Sequence, residues 1–148
     1  MRIVVTGHRP DKIGGYDRNN PVRTHLRQHL RTLLVSLAAD AWLKGDRQIE
    51  LVTGGALGWD QDCAGVAYRV GIPYTLYVPF VGQDSKWPKQ SRDVYAEVVK
   101  RASKVVLCHN DRPQSDGHAG RLLLERNKRM IDDERTDYLI CCWDGSTG

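Results

Sequence analysis

The stretch IELVTGGALGWDQDCAGVAYRVGIPYTLYV, residues 49–78, decides the fold. It opens with IELVT (49–53), a short β-rich run that stops at a glycine turn. Leu57 to Val70 reads as a helix, and Gly71 supplies the left-handed residue on which helices commonly end. IPYTLYV (72–78) is a second β-rich run. Strand, turn, helix and strand in about 30 residues make a βαβ unit, whose two strands run parallel because the chain returns through the helix.

The same alternation extends in both directions. RIVVT (2–6) is a first strand, followed by the loop GHRPDKIGGYDRNNP and a helix from about Val22. Leu26, Leu30, Leu33, Leu34, Leu37 and Ala41 recur in it at three- and four-residue spacing, one apolar face. Asn20 with Pro21 makes a cap and first-turn pair, and Gly45 closes the helix. Downstream, PFVGQDSKWPKQ (79–90) leads to a helix around Ser91–Arg101 carrying Val94, Val98 and Val99, then to a strand KVVLC (104–108). The polar stretch HNDRPQSDGHAG (109–120) reads as a mobile connection to a helix from Arg121 to Asp133, and TDYLICCW (136–143) is the last strand. Near-continuous apolar strands joined by right-handed crossovers imply helices on both faces of a parallel sheet. The expected architecture is a three-layer, doubly wound, Rossmann-like α/β domain over residues 1–148, with five parallel strands in the order 3-2-1-4-5.

Composition narrows the function classes. Of 148 residues, 41% are apolar and 27% charged, the mixture of a globular domain with one core. The 22 basic and 18 acidic side chains leave a net charge of +4, an excess that suits an anionic ligand without demanding a nucleic acid. No apolar run is long enough to cross a bilayer. The opening MRIVVTG lacks the regions of a signal peptide, so a cytoplasmic location and no membrane partner are expected. Cysteines 63, 108, 141 and 142 show no CxxC pair or metal-ligand spacing. They are expected to be reduced and structural, with Cys141 and Cys142 on opposite faces of a strand as small core residues. No metal or cofactor is expected.

Ligands of doubly wound sheets bind beyond the carboxyl ends of the strands. The loops expected there are TGHR, TGGALGWD, VPF with the later Trp87, and WDGSTG, all rich in glycine, hydrogen-bond donors or aromatic rings. The amino-end connections KGDRQ, RVG, RAS and DDERTD are plain turns. Thr53, Gly54, Gly55 and Gly58 can bring backbone N–H groups to an anion at a helix N-terminus; a turn needing positive φ and tight packing would use the same residues. The spacing matches neither the P-loop nor the dinucleotide fingerprint. Asp60, in the first turn of the helix, reads as a cap, a ribose-hydroxyl acceptor or an acid/base group. Trp59 is a base-stacking or a packing residue. Thr6 and Gly7 offer backbone donors and Arg9 a planar fork for phosphate or carboxylate. His8 is a proton carrier or a hydrogen-bonding loop residue. Trp87 is a stacking lid or an apolar anchor. Glu125, Arg126 and Asn127 form a polar cluster beside the pocket or a solvated helix face. Asp144, Gly145, Ser146, Thr147 and Gly148 look like a second anion-binding turn with no helix after it, either a truncated form or an unsupported tail.

Taken together these residues resemble the SLOG superfamily, the Rossmann-like group that holds the LOG nucleotide phosphoribohydrolases and the DprA ssDNA-binding proteins, and within it the YpsA-like branch of bacteria and phages. The resemblance rests on TGHRP (6–10) with GGY (14–16), TGGALGWDQ (53–61), VPF (78–80), Trp87, ERN (125–127) with Met130-Ile131-Asp132, and LICCWDGSTG (139–148). It implies a small nucleotide or nucleotide-derived ligand, such as ADP-ribose or a nucleoside monophosphate. Thr6, Gly7, Arg9, Gly54, Gly55, Ala56, Gly58, Asp60, Arg126, Asn127 and residues 144–148 would hold it, with His8, Thr53 and Trp87 beside them. Relatives continue with a Gly-Gly-Thr turn and another helix. In LOG-type hydrolases a glutamate after that turn is catalytic, and no residue here inherits its role. The favoured reading is binding or sensing of such a ligand. The alternative is an N-glycosidic hydrolase with Asp60 and Glu125 as tentative catalytic carboxyls and Asp144 behind them, since cleavage through an oxocarbenium-like state needs a carboxylate nearby. DprA-like ssDNA binding fits least, because it calls for a basic groove and several stacking aromatics. The apolar first helix is a candidate face for a homodimer.

Overall fold

The computed structural model describes residues 1–146. It contains β1 (Arg2–Gly7), α1 (Pro21–Leu43), β2 (Glu50–Thr53), α2 (Trp59–Arg69), β3 (Tyr74–Val78), α3 (Lys89–Arg101), β4 (Lys104–Leu107), α4 (Asp116–Asp132) and β5 (Tyr138–Cys142), with a short 3-10 turn at Pro10–Lys12. The five strands form one wholly parallel sheet, so the α/β Rossmann-like class stands. Its order is β4-β3-β2-β1-β5, which corrects the expected 3-2-1-4-5. The step through α3 continues outward in the direction set by α1 and α2, adding β4 outside β3. Only the step through α4 returns, carrying β5 across to β1. Right-handed crossovers then require α1, α2 and α3 on one face and α4 on the other. The composition of β4 suits its place at the edge: it is short, opens on a lysine and is mostly exposed.

Alternation along the strands divides the core. Ile3, Val5, Leu51 and Leu76 point to the three-helix face, where Leu30, Leu34, Cys63 and Ala67 meet them. Val4, Val52 and Tyr77 point the other way and pack on Met130 of α4. A single helix covers that second face incompletely. Leu139, in register with Val4, is 50% exposed. Cys141 is exposed as well, so it is no core residue; Cys142 is half-buried and packs against the main core. Among the described residues all four cysteines are free, no helix is long and apolar enough to cross a membrane, and no group of three or more His, Cys, Asp or Glu is placed to hold a metal.

Helix α4 begins at Asp116, five residues ahead of the sequence reading. The Ser115 hydroxyl accepts a hydrogen bond from the His118 amide at 3.1 Å and caps it. Gly117 and Gly120 in the first turns, poor helix formers, hide this start in the sequence.

A buried ion pair pins α1 to α2. Arg23 donates from Nε to Asp62 Oδ2 at 2.8 Å and from Nη2 to Oδ1 at 2.9 Å, and the side chains are 3% and 1% exposed. The Arg23 Nη1 also donates to the Tyr16 carbonyl at 3.2 Å, tying down the loop ahead of α1. Removing one partner leaves the other charged and dry. Asp62→Ala is therefore expected to lower the unfolding free energy by about 3–5 kcal/mol in urea titrations.

Candidate ligand site

The turn after β2 is closed upon itself. The Thr53 hydroxyl donates to the Asp60 carbonyl at 3.1 Å and accepts from the Gly55 amide at 3.3 Å. Gln61 Nε2 donates to the Gly55 carbonyl at 3.3 Å, and Gln83 Nε2 to the Gly54 carbonyl at 3.4 Å. The Ala56 amide donates to Asp60 Oδ2 at 3.4 Å. Each glycine meets a protein neighbour. A Cβ on Gly54 would overlap the Arg126 guanidinium, and one on Gly58 (φ +93°) would strike the His8 carbonyl. Trp59 is buried and covers Gly7, as a packing residue.

Arg126 therefore fills the space that Gly54 leaves open. It reaches in from α4, is 3% exposed, and donates from Nη1 to the Tyr77 carbonyl at 3.3 Å. Its buried Nε has no hydrogen-bond partner among the described residues. Asp60 lies in the same dry layer, 5% exposed. Burial pushes its carboxyl up to about 6, against the opposing charge of Arg126, the Ala56 and Gly54 amides and the charge of Arg9. Burial likewise lowers Arg126 from its ordinary value, and Asp60 opposes that shift.

An open cleft of about 730 Å³ lies among the loops at the carboxyl ends of the strands. Arg9 enters it from the loop after β1 and Leu57 from the loop after β2. Phe80, Gln83, Lys86 and Trp87 come from the loop after β3, and Arg112 from the loop after β4. The first turns of α4, through Ala119 and Gly120, make the remaining wall. A Cβ on Gly117 or Gly120 would touch nothing within 4 Å, so a ligand can come close to the helix backbone there. Trp87 is half-buried, its ring edge-on to Tyr95 with centroids 5.2 Å apart, so it anchors the loop while lining the cleft. The cleft offers Arg9 and Arg112, a Lys86 that is paired with Asp116 at 2.7 Å, aromatic surface and a helix N-terminus, which together suit a phosphorylated aromatic ligand.

The first and last loops also meet. His8 Nε2 lies 3.0 Å from both Asp144 Oδ1 and the Asp144 amide nitrogen, accepting from the amide or donating to the carboxylate according to its tautomer. The Ser146 hydroxyl and amide, then His8 and Lys12, hold the Asp144 carboxyl well below the usual carboxylate range. Ser146 and the exposed Gly145 thus close a turn on Asp144.

The sequence-derived site residues separate into three places. Thr53, Gly54, Gly55, Ala56, Asp60 and Arg126 form the buried layer; Arg9 and Trp87 line the cleft; and His8, Asp144 and Ser146 form the cluster at the β1–β5 edge. Thr6 is half-buried at the end of β1, and Asn127 is half-buried on α4. Glu125 is not brought to Asp60. It is 57% exposed and pairs with His109 Nε2 at 3.0 Å. Thr147 and Gly148 lie outside the described residues. Sequence reasoning pointed to Phe80 through VPF (78–80) but missed Gln83, Lys86 and Arg112. The clue was their grouping in two long loops, 79–90 and 109–120, of which only VPF and Trp87 stood out.

Two consequences can be measured. Asp60 binds its proton more tightly in the folded chain than in the unfolded one. Its stabilising effect is thus complete below about pH 4 and lost as pH rises through about 6, a drop of about 3 kcal/mol at 1.4 kcal/mol per pH unit. Urea unfolding as a function of pH should show this fall in the natural protein and a flatter profile in Asp60→Asn. Gly54→Ala should displace the Arg126 guanidinium at a cost of about 1–3 kcal/mol in thermal unfolding, the usual range for overpacking.

The chain is 23% identical to a UPF0398 protein of Bacillus pumilus over 149 aligned positions, covering 96% of this chain and 73% of the relative. It is 25% identical to a UPF0398 protein of Bacillus velezensis, covering 96% and 74%, and 24% identical to one of Bacillus anthracis, covering 96% and 73%. The profile of the YspA SLOG family matches residues 3–147, which takes in β1 to β5 and every loop described above, and the chain belongs to that family.

Proposed function

We propose that the protein binds a nucleotide or nucleotide-derived ligand in the cleft between Arg9, Arg112 and the start of α4. The observation that carries this reading is the composition of the cleft. A space of about 730 Å³ lies within the range of small-molecule sites, and its lining mixes cationic and polar side chains with aromatic rings. Arg9 and Arg112 supply charge for a phosphate, Lys86 being paired with Asp116 at 2.7 Å, and the positive end of the α4 dipole borders the same space. Tyr16, Phe80 and Trp87 supply ring surface for a base. The SLOG membership of the chain supports a nucleotide-related role.

A second reading is favoured by one observation. A carboxyl with its pKa near 6 is poised to exchange a proton near neutrality, and Asp60 is such a group at the carboxyl edge of the sheet. On this reading the ligand is a nucleoside monophosphate and the reaction is hydrolysis of its N-glycosidic bond, with Asp60 the candidate acid/base group. Glu125, paired with His109 at the outer side of α4, takes no part in it.

Calorimetry with AMP, ADP-ribose and adenosine tests the first reading. The phosphorylated ligands should bind, and Arg9→Gln with Arg112→Gln should weaken them about tenfold or more, the usual worth of a charged hydrogen bond. The absence of saturable binding to any nucleotide by the folded protein would contradict the proposal. Release of free base from AMP, lost in Asp60→Asn with AMP binding retained, would establish the second reading in addition.

A further inference from the structure

A second cavity, of about 860 Å³, lies on the α1–α2 side of the molecule. Tyr16, Leu57 and Pro88 form a wall between it and the cleft. Its lining is dominated by arginine. Arg18, Arg23, Arg27 and Arg69 all face it, with Asp17 at its rim and Asp62 beneath.

The charges there do not balance, and Glu97, which lines a small adjoining cavity with Arg18, Gly65 and Arg69, is itself paired with Arg101 at 3.3 Å. Asp62 is sunk at 1% exposure and already accepts both nitrogens of Arg23. Arg18 Nη2 lies 3.5 Å and Arg27 Nη1 3.6 Å from the same Asp62 Oδ1. One carboxylate therefore serves three guanidiniums, and Arg69 adds a fourth whose hydrogen bond among the described residues runs to its own helix, from Nε to the Gly65 carbonyl at 3.1 Å. Even with Asp17 counted, two positive charges stay uncompensated. Burial, with the like charges of Arg23 and Arg27 and against Asp62, lowers the Arg18 guanidinium from its ordinary value, as expected where cations are crowded together.

The ends of two guanidiniums, Arg18 with its long contact to Asp62 and Arg69 with none, converge. Seen from the position where a Cβ on Gly65 would stand, Arg69 Nη2 is 3.5 Å away and Arg18 Nη2 is 3.6 Å away. Gly65 thus leaves a bare patch of α2 beneath two guanidinium forks. Arg27 is held in place by donating from Nη1 to the Arg18 carbonyl at 2.6 Å and from Nη2 to the Thr24 hydroxyl at 3.3 Å. Planar forks fixed around an open space match the several oxygens of a tetrahedral oxyanion better than a single-point anion such as chloride.

We propose that Arg18, Arg27 and Arg69 form a second anion site, separate from the cleft, that takes a phosphate dianion, either free or as the terminal group of a small phosphorylated molecule. The apolar wall of Tyr16, Leu57 and Pro88 stands ready for the remainder of such a molecule. This assignment does not depend on the nucleotide reading of the cleft.

The test is a titration with inorganic phosphate at constant ionic strength, followed by thermal unfolding and by the amide NMR signal of Gly65, in three proteins. The natural chain should show saturable stabilisation and a shift at Gly65. The cleft variant Arg9→Gln/Arg112→Gln should retain both. Arg18→Gln/Arg69→Gln should bind about tenfold more weakly or worse. Arg69→Gln alone, which removes no contact between elements, should show a smaller loss in a protein of unchanged fold. Repeating the titration with a nucleoside monophosphate distinguishes a free phosphate site from one for a phosphorylated molecule, since only the latter gains affinity over phosphate in the cleft variant. The proposal is overturned if phosphate has no effect on the natural chain, if the effect survives in Arg18→Gln/Arg69→Gln, or if it vanishes in the cleft variant alone. It is also overturned if the cluster answers only to an oligonucleotide, with a steep salt dependence, which would make it a backbone-binding surface.

Discussion

A guanidinium and a carboxyl share one dry layer at the carboxyl edge of this sheet, and the geometry around them follows from keeping both there. Arg126 reaches in from the helix that alone covers the second face of the sheet and lies against Gly54, where no side chain larger than hydrogen leaves it room. Asp60 lies in the same layer, capping the turn with its Ala56 contact, and the two charges offset part of each other's burial. A buried ion held by few partners is expensive. The fold meets that cost with the Tyr77 carbonyl, the turn amides and the proton that Asp60 holds up to about pH 6. The turn, the β3 strand end and α4 are thereby bound to one another, and Gln83, which donates to the Gly54 carbonyl, joins the turn to the lining of the cleft.

Two acids two residues apart on α2 have different tasks because they face different neighbours. Asp62 points back to α1 and is enclosed by arginine, which makes it a structural anchor and leaves surplus positive charge around it. Asp60 points to the sheet edge, where burial outweighs the available cations and raises its pKa. The helix turn that separates them sets a tightly saturated carboxylate on one side and an under-compensated one on the other. Cationic side chains then border both cavities of the carboxyl edge.

Much of this was legible in the sequence, and the failures have physical causes. Apolar runs separated by glycine turns and amphipathic stretches specify parallel βαβ units, and all nine regular elements were found within a few residues except the start of α4. There Gly117 and Gly120 weaken the helical pattern, and the Ser115 cap decides the matter only when its partner amide is placed. Strand order was misread because nothing local in KVVL or YLICC says which edge each occupies; the long return through α4 does. In the loop TGGALGWD the need for small residues was evident, whereas their partners were not. Gly54 answers to an arginine far along the chain, and Gly7 to Trp59, contacts that only the tertiary structure brings about. Arg112 and Lys86 escaped notice because isolated cations in polar loops carry no periodic signal.

A crystal structure of the protein soaked with AMP tests most directly whether a phosphorylated ligand is read in the cleft. The phosphate should lie between Arg9, Arg112 and the start of α4, and the base against Phe80 or Trp87, with Arg126 still lying on Gly54. A phosphate seated instead on the Gly54–Gly55 backbone with Arg126 displaced, or no nucleotide at this edge of the sheet, would contradict it.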